Sequence, residues 1–341
     1  MASDVHSAIM TKEEEEEFEH MMRQRRSGRS AAFYGGPPPR IDKGEVRLDS
    51  CHLDGMIKSS SFTEPNAKIA PKGKVLQHSS RLFVGYADTV GRRPSMEDDI
   101  CIYGKLRGKE DEDYIGIFDG HGGKESAEYA AKHLFKILVE KLNDTANPGD
   151  ALRKAFLETN ERMKNDQIPG GTTALVALFM KDKCYIANAG DSRAVLLKDN
   201  QVFRLSTDHK PDLPSEEERI QKSGGVVTKI MGKQGKVISR VNGMLAVSRA
   251  LGDFFLQPHV SPEPEIQQFD LHGNNSDILL ILACDGLWDT VSDEEAVKIA
   301  QTEDHVEQSA IKLRDASYNR GSADNISVIV IRTNPKQNKV Q

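Results

Sequence analysis

Acidic side chains sit where the apolar runs of this sequence stop. Asp119 follows Tyr-Ile-Gly-Ile-Phe118, and Asp285 follows Ile-Leu-Leu-Ile-Leu-Ala-Cys284. Asp324 stands just ahead of the run that ends at Ile331, and Asp191 lies in the turn Ala-Gly-Asp-Ser-Arg193. A carboxylate at the end of a buried strand is held rigidly and half desolvated, which is costly unless positive charge neutralises it. Any one of these aspartates alone reads as a turn former or a cap. Several at one edge of a sheet make a hard-oxygen site for Mg2+ or Mn2+.

Glycine strengthens two of the four. Asp119-Gly120-His121-Gly122-Gly123 and Asp285-Gly286-Leu287-Trp288-Asp289 let backbone approach a ligand closely or take up left-handed conformations. His121 has no second His or Cys at zinc-binding spacing, so it reads as a proton donor or acceptor beside a metal site rather than as a zinc ligand. Arg92-Arg93-Pro94-Ser95-Met96-Glu97-Asp98-Asp99 puts two guanidiniums among acidic residues. Such a run is ordinarily a solvated loop. Beside a metal site, its arginines can grip a phosphate while a carboxylate orients water. No G-x-x-x-x-G-K-[ST] loop occurs, which excludes nucleotide binding of the Walker kind.

These residues need a scaffold, and the sequence from Leu82 to about Arg332 supplies one. Short apolar runs at 114–118, 174–180, 184–188, 194–197, 278–284 and 326–331 are bounded by Gly, Asp or Asn and predict strands. Turn-length gaps between several of them predict antiparallel neighbours. Apolar spacings of three and four predict helices over 124–142 and 150–164, with a last helix over 305–318. Ser215-Glu-Glu-Glu218 and Ser292-Asp-Glu-Glu295 match capping boxes and predict helix starts, with Gly224 suited to end the first.

Residues 1–78 have another character. Glu13 to Glu17 form an acidic run, Arg23, Arg25 and Arg26 a basic one, and Gly35-Gly-Pro-Pro-Pro39 favours extended backbone. This composition buries too little apolar surface to offset the entropy of ordering. The expectation is a disordered or regulatory N-terminal arm over 1–78, with a short charged helix compatible with 12–26. One domain over 79–333 and a short tail over 334–341 complete the division.

The 341 residues are 38% hydrophobic and 29% charged, with a formal net charge of −6. That sign argues against a nucleic-acid partner, which needs a basic excess. No apolar run has the length of a membrane span. The four cysteines, Cys51, Cys101, Cys184 and Cys284, form no C-x-x-C pair and are too sparse for a disulfide framework. The first residues carry no secretory pattern, Ala2 excludes N-myristoylation, and the last four residues are no prenylation box. The expected setting is intracellular, cytoplasmic and/or nuclear.

Eight segments together carry a resemblance. They are Arg93-Pro-Ser-Met-Glu-Asp98, Phe118-Asp-Gly-His-Gly-Gly123, Gly171-Thr-Thr-Ala174, Gly190-Asp-Ser-Arg193, Asp208-His-Lys-Pro211, the stretch from Arg240 to Asp253, Asp285-Gly-Leu-Trp-Asp289 and Ser322-Ala-Asp-Asn325. In this order, across about residues 80–332, they resemble the metal-dependent Ser/Thr protein phosphatases of the 2C type. The resemblance implies an α+β fold, a four-layer αββα sandwich of two antiparallel sheets flanked by helices, with two metals at one end. It implies Glu97, Asp119, Asp285 and Asp324 as metal carboxylates, with Asp119 shared, and Gly120 as a carbonyl ligand. Asp191 matches the residue linked with a weaker third metal. Arg93 matches the phosphate-binding arginine, Arg240 an arginine of the flap that also approaches phosphate, and His121 the general acid. Asp98 and Asp289 would orient metal waters.

By the same resemblance, hydroxide shared by two Mg2+ or Mn2+ ions attacks phosphorus in line, without a phosphoenzyme. The implied partners are phosphoprotein substrates of a monomer, with no nucleic acid and no membrane. Two rival readings are a catalytically inactive phosphatase-like scaffold and a phosphatase or nuclease for small molecules or nucleic acid. The intact set of matched carboxylates argues against the first, and the net charge against the nuclease. Two departures stand out. Ala323 replaces a residue that is often charged in the family. The stretch 226–239, with Gly232 and Gly235, is longer than in compact members, and it bears on substrate choice.

Overall fold

The structure is a computed structural model that describes residues 75–79, 81–231, 237–271 and 278–333. Two sheets dominate it. The first runs β1 (Val75–Gln77), β3 (Asp99–Tyr103), β4 (Glu112–Phe118), β7 (Ala174–Met180), β8 (Lys183–Ala189) and β14 (Glu265–Asp270), antiparallel except for β1 beside β3. The second is antiparallel throughout: β10 (Gln201–Arg204), β9 (Arg193–Lys198), β15 (Leu279–Ala283), β16 (Ile326–Arg332) and β2 (Phe83–Thr89). A small ribbon joins β5 (Gly120–His121), β6 (Gly171–Thr172) and β13 (Leu251–Gly252), and a hairpin pairs β11 (Val227–Met231) with β12 (Val237–Val241).

The apolar runs explain the layering. Side chains alternate across a strand, so a strand buried on both faces must be apolar throughout. In β16, Ile329 and Ile331 face the core between the sheets, where they meet Leu280, Ile117 and Phe179. Val328 and Val330 face the other way, into a second core with Val297, Ala310 and Leu313. These last come from α5 (Asp293–Gln301) and α6 (Val306–Asn319). On the opposite side, α1 (Glu125–Asp144) and α2 (Pro148–Asn165) set Leu134, Leu138, Leu152 and Phe156 against Phe118, Val176 and Leu178. The result is helix, sheet, sheet, helix. Each fully buried Leu or Ile contributes about 1.5–3 kcal/mol, so three such cores can hold several like charges at one rim.

The structure modifies the sequence reading at three places. Strands β8 and β9 follow one another closely, yet they belong to different sheets, and Gly190–Ser192 carries the chain across. Val75–Gln77, which composition assigns to the arm, pairs with β3, so the sheet begins before residue 79. Helix α3 (Pro214–Lys222) starts at Leu213 with Pro214 in its first turn, and Ser215 is inside it rather than capping it. The fixed φ of proline suits that position and displaces the start signal by two residues. The box at Ser292 does form: its side chain accepts from Glu295 N, and the Glu295 carboxylate accepts from Ser292 N. Residues 1–74 and 334–341 lie outside the described residues, as does the centre of the hairpin at 232–236. No helix among the described residues is long and apolar enough to cross a membrane.

Candidate active site

Antiparallel register gathers the candidate residues at one end of the sandwich. The pair Asp99–Phe118 sets the start of β3 beside the end of β4, and Ala174–Ala189 sets the start of β7 beside the end of β8. In the other sheet, Ala283 at the end of β15 stands opposite Arg193 and Val328, near the starts of β9 and β16. Glu97 and Asp98 precede β3, Asp119 follows β4, Asp191 lies between β8 and β9, Asp285 follows β15, and Asp324 precedes β16. Segments more than 200 residues apart in sequence thus share one rim.

The carboxylates are close enough to resist one another's ionisation. Burial pushes Asp119 well above the usual carboxylate range, and the charges of Asp98, Asp285, Asp191 and Asp324 push it further. Asp285 rises for the same two reasons, burial and then Asp191, with Lys210 opposing. Asp324 rises by burial against the pull of Arg93. Oxygens of Asp98 and Asp119 and the Sγ of Cys284 lie within 4.8 Å of one another. Burial holds the Cys284 thiol far above its ordinary range, and Sγ donates to Asn325 O at 3.5 Å. The donors that remain are hard oxygens carrying uncompensated charge. That donor set fits oxygen-seeking dications of the Mg2+ or Mn2+ class.

Two cations already answer part of this charge. Lys210 Nζ donates to Asp191 Oδ2 and stands 3.8 Å from Asp285 Oδ2. Arg93 Nη2 donates to Asp324 Oδ2 at 2.7 Å and its Nε to Ala323 O at 3.2 Å, while its side chain stays 53% exposed. An arginine that reaches the carboxylates from solvent can meet an incoming phosphate. Its neighbour Arg92 lies over the Tyr318 ring, 4.4 Å from the centroid, and donates to Ser322 O.

Asn325 fixes the loop that carries these arginines. Its Nδ2 donates to Val90 O at 2.9 Å and Ser95 O at 3.0 Å, and its Oδ1 accepts from Glu97 N at 2.9 Å. The Glu97 carboxylate accepts from Ser95 Oγ and Gly123 N. Gly286, the second residue of α4 (Asp285–Trp288), shows why this corner needs glycine. A Cβ there would lie 1.8 Å from Asn325 O, so any side chain would push Asp285 away from Asp324.

Gly120 and His121 form β5, the glycine buried and the histidine half-buried. His121 Nε2 is 2.6 Å from Asp253 Oδ2. Asp289 is exposed at the end of α4, and its charge acts on both Asp285 and Lys210. Arg240 belongs to the hairpin: it lies on β12 and its Nη1 donates to Met244 O at 2.5 Å. Sequence reasoning gave no role to Lys210, Asp253 or Asn325. Their partners are 19, 132 and 228 residues away, so spacing could not reveal them. The available signal was membership of the eight segments, in which all three stand.

Comparisons with known proteins place the fold and the family. The family model of protein phosphatase 2C matches residues 84–326. A rice relative, probable protein phosphatase 2C 55 of Oryza sativa subsp. japonica, is 36% identical over 284 residues, covering 81% of this chain and 72% of its own. Probable protein phosphatase 2C 59 of Arabidopsis thaliana is 38% identical over 288 residues, covering 82% and 89%. Among solved structures, a sex determining protein of C. elegans aligns with a TM-score of 0.67 at 28% identity, over 76% of this chain and 66% of that one. A serine-threonine phosphatase 2C from Toxoplasma gondii shares the fold, with a TM-score of 0.64 at 23% identity over 75% of this chain and 96% of its own. With the carboxylate rim on this fold and the family model spanning most of it, the chain belongs to the protein phosphatase 2C family of metal-dependent serine/threonine phosphatases.

Proposed function

We propose that the chain transfers the phosphoryl group of phosphoserine and phosphothreonine in proteins directly to water at this rim. The observation that carries the reading is the convergence of Asp119, Asp191, Asp285 and Asp324, the last three all opposing the ionisation of Asp119. Glu97, Asp119, Asp285, Asp324 and the Gly120 carbonyl would hold two dications, Mg2+ or Mn2+, with a weaker third at Asp191. Bound there, such ions lower the pKa of water towards neutrality and offset charge on the phosphoryl oxygens.

The chain's own groups do the rest. Arg93, anchored at its Nε, turns its fork to the phosphoryl oxygens, and Arg240 of the hairpin assists. His121 gives a proton to the departing serine or threonine oxygen, a poor leaving group without one. Asp98, which accepts from Ser327 Oγ at 2.7 Å, and Asp289 hold water in place. The Sγ of Cys284 lies within 4.8 Å of oxygens of Asp98 and Asp119. Its buried thiol stays protonated and is unsuited to forming a covalent intermediate, which supports transfer to water. The substrates are phosphoproteins met by a monomer, and neither nucleic acid nor membrane takes part.

The test is hydrolysis of a phosphoserine peptide with EDTA, followed by Mg2+ or Mn2+ in 18O-labelled water. Loss with EDTA, recovery with either ion and one labelled oxygen in the phosphate from a single turnover are expected. Turnover that persists in EDTA, or a phosphoenzyme trapped by acid quench, would overturn the reading.

A further inference from the structure

We propose that Asp253 positions His121 for proton transfer. This rests on the reading of His121 as proton donor and adds a residue to it. The two side chains meet through His121 Nε2 and Asp253 Oδ2 at 2.6 Å, where the carboxylate is 3% exposed and the ring 24%. A buried carboxylate on one ring nitrogen fixes both the plane of an imidazole and which nitrogen faces outwards.

The surrounding backbone is built to make this contact. Asp253 has φ 48° and ψ 42°, the left-handed region that a residue with a Cβ seldom occupies. Neighbouring bonds hold it there: Asp253 N donates to Gly170 O at 2.9 Å, Gly252 N to Asn160 Oδ1 at 3.0 Å, and Gln257 Nε2 to Gly252 O at 3.0 Å. Such conformations persist only where the surrounding structure over-determines them. The partners also share a strand. Gly171 of β6 stands opposite His121 on one side and Gly252 on the other. A Cβ at Gly171 would lie 2.0 Å from Asp253 Oδ2 and 2.5 Å from His121 Nε2. Glycine at 171 therefore leaves open the space that the contact occupies.

The step follows from this geometry. With Nε2–H donated to Asp253, Nδ1 carries the proton that moves. As the bond from phosphorus to the serine or threonine oxygen breaks, that oxygen takes the Nδ1 proton with the electron pair, and Nε2–H stays with the carboxylate. Asp253 exchanges no proton with substrate.

A double-mutant cycle with two substrates tests this. Asp253→Gly removes the carboxylate without a backbone penalty at positive φ. It should slow a phosphoserine peptide at least about tenfold more than p-nitrophenyl phosphate, whose leaving group needs no proton. In a His121→Ala background, the same change should cost less than about twofold, because residues that act as a unit are not additive. Asp253→Asn, whose Oδ1 still accepts from Nε2–H, should recover at least about threefold of the peptide rate. If Asp253→Gly fails to fold, Asp253→Ser, whose hydroxyl stops short of the ring, takes its place in the cycle. Losses additive with those of His121→Ala, or equal losses on both substrates from Asp253→Gly while His121→Ala slows the peptide more, would overturn the positioning role. If His121→Ala itself slows both substrates equally while the losses stay non-additive, the proton-donor reading fails and the positioning role stands.

Discussion

At the scale of residues, the site is a problem of like charge. Asp119 and Asp285 are each pushed up by burial and by their neighbours, and the described cations nearby, Lys210 and Arg93, reach only part of the set. Lys210 serves Asp191 and Asp285 from one side, and Arg93 serves Asp324 from the other. Burial and the charges of Asp98, Asp285, Asp191 and Asp324 all oppose the ionisation of Asp119. Removing one negative ligand should therefore weaken metal binding and turnover together while leaving the apolar cores untouched. Asp285→Asn keeps the shape and loses the charge, and we expect at least about a hundredfold loss of turnover, since even residues behind metal ligands cost 10–100-fold. Calorimetric titration with Mn2+ should show the weakened binding directly. A variant that kept a third of wild-type turnover at low-millimolar Mg2+ would remove Asp285 from the ligand set.

At the scale of elements, an ion network ties the start of the flap to the segment that ends in Asp253. Glu216 of α3 is buried, with Oε1 accepting from Arg249 Nη2 at 2.6 Å and Oε2 from Arg219 Nη2 at 2.9 Å and Ser248 Oγ at 2.9 Å. Burial alone would raise its carboxyl, but Arg249 and Arg219 override burial and hold it down at about 2. Because the folded value lies below the unfolded one, the stabilisation is fully present above the usual carboxylate range and is lost as pH falls towards about 2. Glu216→Gln should destabilise the fold by about 2–3 kcal/mol near neutral pH, because a broken buried pair strands its partner. Thermal melts from pH 6 down to pH 3 should show the gap to wild type narrowing, and a constant gap would show that the carboxylate charge is not what α3 uses. The element scale is also where sequence reading was uneven. The central strands β4, β7, β15 and β16 bury both faces and are legible as apolar runs. The edge strand β14, Glu-Ile-Gln-Gln-Phe-Asp, and the hairpin strand β11 bury little, so neither stands out as an apolar run. Capping was legible at Ser292, and illegible at Asn147 of α2 and at α3, whose start carries Pro214 and no side-chain cap.

At the scale of the whole molecule, the sandwich places every candidate carboxylate at one end, because alternate strand ends point the same way. The aspartates were legible one by one as run-ending residues, and the eight segments gave them roles. Their meeting was legible through the resemblance alone, because it depends on pairings such as β2 with β16 that close across more than 200 residues. The contacts of Arg93 with Asp324 and of His121 with Asp253 were not legible, for the same reason. β1 was illegible for a related reason: three residues of edge strand, parallel to β3, carry too little pattern to stand out from the polar stretch before them. The domain boundary makes a sharp prediction. Every candidate site residue lies after residue 90, and residues 1–74 are polar and aperiodic. Deleting 1–74 should therefore leave turnover of a generic phosphopeptide within about twofold of the full chain, as expected for a segment that buries little. Deleting 1–78 also removes β1, which uncovers the edge of β3, the strand that Glu97 and Asp98 precede, and exposed edges invite association. The longer deletion should melt lower and show concentration-dependent association by light scattering, with the shorter one as its control. If the shorter deletion loses most of its turnover, the arm contributes to the catalytic domain. If both deletions behave alike, β1 is dispensable and the domain begins where composition alone put it.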